Sequence, residues 1–145
     1  MREWRLVDRL QEAFGVRRPR YNQGVPRTPS KNLATVPNPH ADRDYEVSMV
    51  ADEFTCVCPM TGQPDFATIR IRYVPDQLLV ELKSLKLYLW SYRQEGAFHE
   101  DVTNRILDDF VAAAGPRWIE VTGDFKIRGG IKTDVRAVYG KRPDL

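Results

Sequence analysis

Glu81-Leu-Lys-Ser-Leu-Lys-Leu-Tyr-Leu-Trp90 reads as a strand end turning into a helix. Before it, Gln77-Leu-Leu-Val80 is an apolar run. Beyond it, Leu85, Tyr88, Leu89 and Tyr92 recur at i, i+3, i+4 and i+7, the stripe of an amphipathic helix. Lys83, Lys86 and Trp90 fall on another face. Two ammonium groups one turn apart at a helix N-terminus suit an anion such as a phosphate, and equally a plain solvated face.

Working outward, Tyr45, Val47 and Met49 alternate with polar residues, which predicts a strand over residues 45–50. A second strand is predicted over Phe66–Tyr73, with Ile69, Ile71 and Tyr73 on one face, and a third, short one over Leu78–Leu82. Helices follow over Ser84–Arg93 and Glu100–Ala114. In the second, Val102, Ile106, Phe110 and Val111 make the apolar stripe and Gly115-Pro116 ends it. Late strands are expected over Arg117–Phe125 and Arg136–Tyr139, joined by a loop holding Arg128-Gly129-Gly130. Strands, two helices and strands again indicate an α+β domain built on an antiparallel sheet.

On the N-terminal side, Trp4, Leu6, Val7, Leu10 and Phe14 give a short amphipathic helix closed by Gly15. Val16–Arg43 carries Pro19, Pro26, Pro29, Pro37 and Pro39 with little periodicity, so it reads as an extended arm that packs against a neighbouring subunit. The division is therefore residues 1–43, helix and arm, and residues 44–145, the globular domain that would carry any site.

The 145 residues suffice for one domain with a real core, and 42% apolar with 29% charged residues is a globular composition. A net charge of +2 is too small to argue for nucleic acid or an anionic membrane as partner. No apolar run approaches the roughly 20 residues that cross a bilayer. Charges in Met1-Arg-Glu-Trp-Arg-Leu6 argue against export, and Cys56 and Cys58 are too close for an ordinary disulfide framework, so a reduced cytoplasmic setting is expected.

Cys58 precedes Pro59 and the turn-rich Met60-Thr-Gly-Gln-Pro64, then Asp65. This suits a thiolate held on a loop with a carboxyl returning across the turn to manage protons, or else a small buried thiol and a turn-forming aspartate. Zinc on Cys56, Cys58 and a histidine is weakly supported by one Cys-x-Cys and two histidines, so no metal is expected. His99-Glu100-Asp101 opens the second helix; its acids complement the helix dipole, or Glu100, if buried, accepts paired N–H bonds from a guanine-like edge. Arg128-Gly129-Gly130 is a plain turn or a basic loop over a phosphate. No Gly-x-Gly-x-x-Gly follows a strand, which excludes a Rossmann cofactor site.

Together, Glu53-Phe-Thr-Cys-Val-Cys-Pro-Met-Thr-Gly-Gln-Pro-Asp-Phe66, Glu81–Tyr88, Phe98-His-Glu-Asp101 and Arg128-Gly-Gly130 closely resemble the 7-cyano-7-deazaguanine reductases, the nitrile reductases of queuosine biosynthesis. The resemblance covers roughly residues 44–140 and is closest to the short, single-module form. It implies the tunnelling fold, an antiparallel sheet with two helices on one face. It also implies a homo-oligomer, a decamer of two stacked pentamer rings with active sites between subunits. Cys58 is implied as the nucleophile that forms a thioimidate with the nitrile. Asp65 is implied as the proton donor, and His99 as an aid to proton transfer or nicotinamide placement. Glu100, His99 and Val80-Glu81-Leu82 are implied around the deazapurine, and Lys83, Lys86 and Arg128 on the phosphates of NADPH. Val102 stands where some members carry a second cysteine, so that protective disulfide is not expected.

Two other functions compete. An amidinotransferase-like relative would add ammonia to the same nitrile on tRNA without NADPH; the lysine-bearing segment, which resembles the reductases' cofactor signature, argues against it. A non-catalytic purine- or RNA-binding ring, using Arg17, Arg18, Arg20, Arg27 and Lys31, would leave Cys58 and Asp65 unused.

Overall fold

The computed structural model describes residues 28–145. The helix expected over Trp4–Phe14 and the arm up to Arg27 lie outside them. Four antiparallel strands form the main sheet in the order β2 (Val47–Val57), β3 (Pro64–Val74), β5 (Trp118–Arg128), β6 (Ile131–Gly140). A separate two-stranded ribbon pairs β1 (Thr35–Pro37) with β4 (Leu78–Val80). The helices α1 (Leu82–Trp90) and α2 (His99–Ala114) lie in the chain between β4 and β5. The α+β class, with an antiparallel sheet and two helices, is as expected.

Period-two alternation builds the sheet's inner face. Ala67, Ile69, Ile71 and Tyr73 of β3, and Ile119, Val121 and Phe125 of β5, are buried. The helical stripe of Leu85, Tyr88, Leu89 and Tyr92 meets that face, as do Val102, Ile106 and Phe110 of α2, in one core. Val111 is only partly buried against it. Each large side chain sealed there contributes about 1.5–3 kcal/mol relative to exposure. Helix α2 ends at Gly115, whose left-handed backbone (φ 52°) places its N–H on the Val111 carbonyl.

Several elements exceed their predicted bounds. Strand β2 runs to Val57 rather than residue 50, because a bulge between Ala51 and Phe54 breaks the alternation and then resumes it with Phe54 and Cys56 inward. The third strand stops at Val80: Glu81 caps a helix that already begins at Leu82. Arg128-Gly129-Gly130 is no long loop but the tip of a tight hairpin, with both glycines at positive φ (56° and 77°). Two such residues in succession give a turn twisted like its strands, and only glycine takes it without strain.

Within the stretch read as an arm, β1 zips onto β4, and Lys31 reaches the domain. Its Nζ lies 2.7 Å from Glu95 Oε2 and 3.0 Å from the centroid of the Tyr92 ring. Asn38, buried, donates to the Asp76 carbonyl (2.7 Å) and accepts from the Tyr45 hydroxyl (2.6 Å). Arg117 gathers the following turn by donating to Asp44, Asp76 and the Ala41 carbonyl. No helix among the described residues is long and apolar enough to cross a membrane.

Candidate active site

Val57, the last residue of β2, is gripped from both sides. It pairs with Pro64 across the hairpin and forms a parallel bridge with Gly96. Its N–H donates to the Glu95 carbonyl and its carbonyl accepts from the Ala97 N–H, both at 3.0 Å. The next residue, Cys58, is thereby fixed beside the segment that opens α2 at His99. A tight turn follows: the Cys58 N–H donates to the Gln63 carbonyl (2.8 Å) and the Gly62 N–H to the Cys58 carbonyl (2.9 Å).

The two thiols have opposite environments. Cys58 is partly exposed, and its pKa is held below the usual thiol value. The Thr61 hydroxyl is the main cause, followed by the N–H groups of Met60 and Thr61, with the Arg128 charge assisting. Cys56 is fully buried, and desolvation, with the charges of Asp65 and Cys58, pushes its thiol up to about 11. The surroundings of Cys58 thus favour its thiolate, and those of Cys56 the neutral thiol.

Asp65 pairs with Cys56 on the neighbouring strand and is only 7% exposed. A buried carboxylate needs partners, and it has two. His99 Nε2 stands 3.2 Å from Oδ2, and the Arg128 guanidinium donates to Oδ1. Arg128 also reaches Gln63 and the Thr61 hydroxyl oxygen (3.0 Å), so one cation spans both the aspartate and the turn that follows Cys58. The His99 ring lies flat on Phe125, centroids 3.8 Å apart. Cys58, Asp65, His99 and Arg128 are therefore brought together, next to a shallow cavity of about 360 Å³ lined by Gln63, Asp65, Phe66 and Arg128.

The remaining candidates stand elsewhere. Glu81 is the N-cap of α1, each carboxylate oxygen taking one N–H, from Lys83 and from Ser84, at 2.8 Å; these bonds hold its pKa below the usual carboxylate range. The helix N-terminus is thus already occupied by this chain's own carboxylate, and only the ammonium groups of the anion argument stay free to act. Val80 is buried and Leu82 exposed, and the Glu81 N–H goes to the Ala34 carbonyl. Lys83 and Lys86 are exposed on α1. Lys86 lines a cleft of about 770 Å³ with Glu53, Leu82, Leu85 and Trp90, which includes neither Cys58 nor Arg128. Glu100 is exposed in this single chain, in the first turn of α2. Among the described residues, no group of three or more His, Cys, Asp or Glu is arranged to hold a metal.

A family model described as QueF-like protein matches residues 64–144. The NADPH-dependent 7-cyano-7-deazaguanine reductase of Anaeromyxobacter sp. (strain K) is 67% identical over 119 residues, 82% of this chain and 98% of the relative. The chain belongs to the QueF-like family. Another relative with the same name, from Thermomicrobium roseum, is 64% identical over 79% of this chain and 90% of its own length. The solved structure of an archaeosine synthase, QueF-Like in the apo form, shares the fold at 23% identity, with a TM-score of 0.60 over 69% of this chain and 96% of its own.

Sequence reasoning missed two contributors in this QueF-like site. Thr61, three residues beyond Cys58 in a tight turn, carried a readable signal: a hydroxyl at that spacing reaches back to residue i. Phe125 carried none, since only the packing of α2 against β5 brings it under a histidine 26 positions earlier.

Proposed function

We propose that this chain reduces the nitrile of 7-cyano-7-deazaguanine to the aminomethyl group, as an NADPH-dependent enzyme of queuosine biosynthesis. The observation that carries the reading is the thiol of Cys58, held toward its thiolate beside the buried Asp65–His99 pair. The thiolate adds to the nitrile carbon; the electron pair of one C≡N π bond moves to nitrogen, which takes a proton from the Asp65–His99 pair. The product is a thioimidate on Cys58, a better hydride acceptor than the nitrile.

Exposed Lys83 and Lys86, one turn apart, with Lys86 on a cleft lined by leucines and Trp90, suit the phosphates and flat rings of a dinucleotide. These residues would hold NADPH, which when bound supplies hydride, two equivalents for each nitrile taken to an amine. Glu100 would read the pyrimidine edge of the base, with Glu81 and the backbone of Val80–Leu82 on its other side. Arg128 stays with Asp65 in this chain and would turn to a phosphate when the cofactor binds.

Within one subunit Lys86 and Asp65 line different cavities, which supports a site completed by a neighbouring copy in a ring-forming homo-oligomer, two stacked pentamers. Residues 1–43 would serve as the arm of this assembly and 44–145 as its catalytic domain. Two free thiols suit a cytoplasmic enzyme. The deciding assay supplies the nitrile, NADPH and ammonia together. Consumption of two NADPH per amine is expected; ammonia incorporated with NADPH untouched would instead establish the amidinotransferase reading.

A further inference from the structure

The approach of His99 to Asp65 depends on how the imidazole is held. Phe125 covers one ring face, with planes inclined by only 8°, and is itself 1% exposed, so it cannot leave without opening the core. From α2, the fully buried Thr103 donates its hydroxyl to the His99 carbonyl at 2.8 Å and fixes the backbone of the first turn. Between these two side chains lies Gly123. A Cβ there would stand 2.6 Å from Thr103 Oγ1 and 2.7 Å from Phe125 Cε2, and both neighbours are buried. A glycine inside a strand weakens it by lost packing, and where one is kept it marks a close approach.

We propose that Phe125, Thr103 and Gly123 form a seat that sets the plane of the His99 imidazole and so aims its Nε2 at Asp65. Phe125 and Thr103 are then positioning residues for proton transfer during thiolate addition, and Gly123 keeps the space they need. The proposal rests on the roles given above to Cys58, Asp65 and His99. An imidazole freed from its stack can turn about its Cβ–Cγ bond, and a misplaced proton donor slows the step without changing how the base is bound.

The test measures the rate at which the nitrile forms its adduct on Cys58, by intact mass without NADPH, against nitrile concentration. Phe125→Leu and Gly123→Ala should each lower the limiting rate about 10- to 100-fold, the scale of a displacement near 1 Å, and leave the half-saturating concentration unchanged. The two changes combined should cost less than the sum of the two alone, since both disturb the same seat. Proton NMR supplies a readout independent of the variants, because the chain has only two histidines. The ring protons of His99 should be shifted upfield by the Phe125 ring in the wild type, and should lose that shift in Phe125→Leu. Folded variants that form the adduct at the wild-type rate, or unshifted His99 resonances in the wild type, would overturn the seat. Should Phe125→Leu not fold, Gly123→Ala and the wild-type spectrum still decide. A wild type that forms no adduct defeats the underlying reading and the seat with it; a normal wild type with unaltered variants defeats the seat alone.

Discussion

Cys58 and Cys56 stand two residues apart, one among hydrogen-bond donors and one sealed in the core. Because the donors favour the charged form of Cys58, its pKa falls, and a larger fraction is thiolate at any pH below the usual thiol value. Thr61→Val removes the leading donor and should raise that pKa. The midpoint of the iodoacetamide reaction rate against pH should therefore move to higher pH, with Cys56 unmodified until the protein is unfolded. An unmoved midpoint would mean that the backbone N–H groups and Arg128 suffice. That Cys58 is held at a turn was legible from Cys58-Pro59 and the residues after it, and its partial exposure fits that reading over the buried-thiol alternative. The assistance of Arg128 was not legible, since Arg128 reaches the turn only through the return of β5 alongside β3.

At the scale of elements, the segment from Glu81 to Trp90 divides its labour. Glu81 caps α1, and truncating such a cap costs about 0.5–2 kcal/mol. Glu81→Ala should lose that much in urea denaturation, while Glu81→Asp, which keeps a capping carboxylate, should recover most of it. If Glu81 also borders the base, Glu81→Asp will still raise the half-saturating nitrile concentration; recovery of both quantities would limit Glu81 to the cap. Both helices were legible because their stripes, Leu85-Tyr88-Leu89-Tyr92 and Val102-Ile106-Phe110, are buried on a strict helical period. The second half of β2 was hidden by its bulge at Asp52-Glu53, where two successive exposed acids mimic a loop. Strand β1 was hidden because three residues ending in a proline carry no period, and only β4 makes them a strand.

For the whole molecule, the main question is how two cavities serve one reaction. Lys86 borders the larger and Asp65 the smaller, and in one chain they do not merge. If neighbouring copies complete the site, Cys58→Ala subunits and Lys83→Ala/Lys86→Ala subunits, each inactive alone, should regain NADPH oxidation when co-assembled. Mixed assemblies no more active than their parents would place both functions in the same subunit's site. No sequence pattern reports this geometry, because the surfaces that would join are edges and exposed side chains with no periodicity of their own. The account as a whole turns on one bond. Intact mass spectrometry of the full chain incubated with 7-cyano-7-deazaguanine, without NADPH, should show one added nitrile per subunit, located on Cys58 and absent from Cys58→Ala. An unmodified wild type, or an adduct that persists in Cys58→Ala, would contradict it.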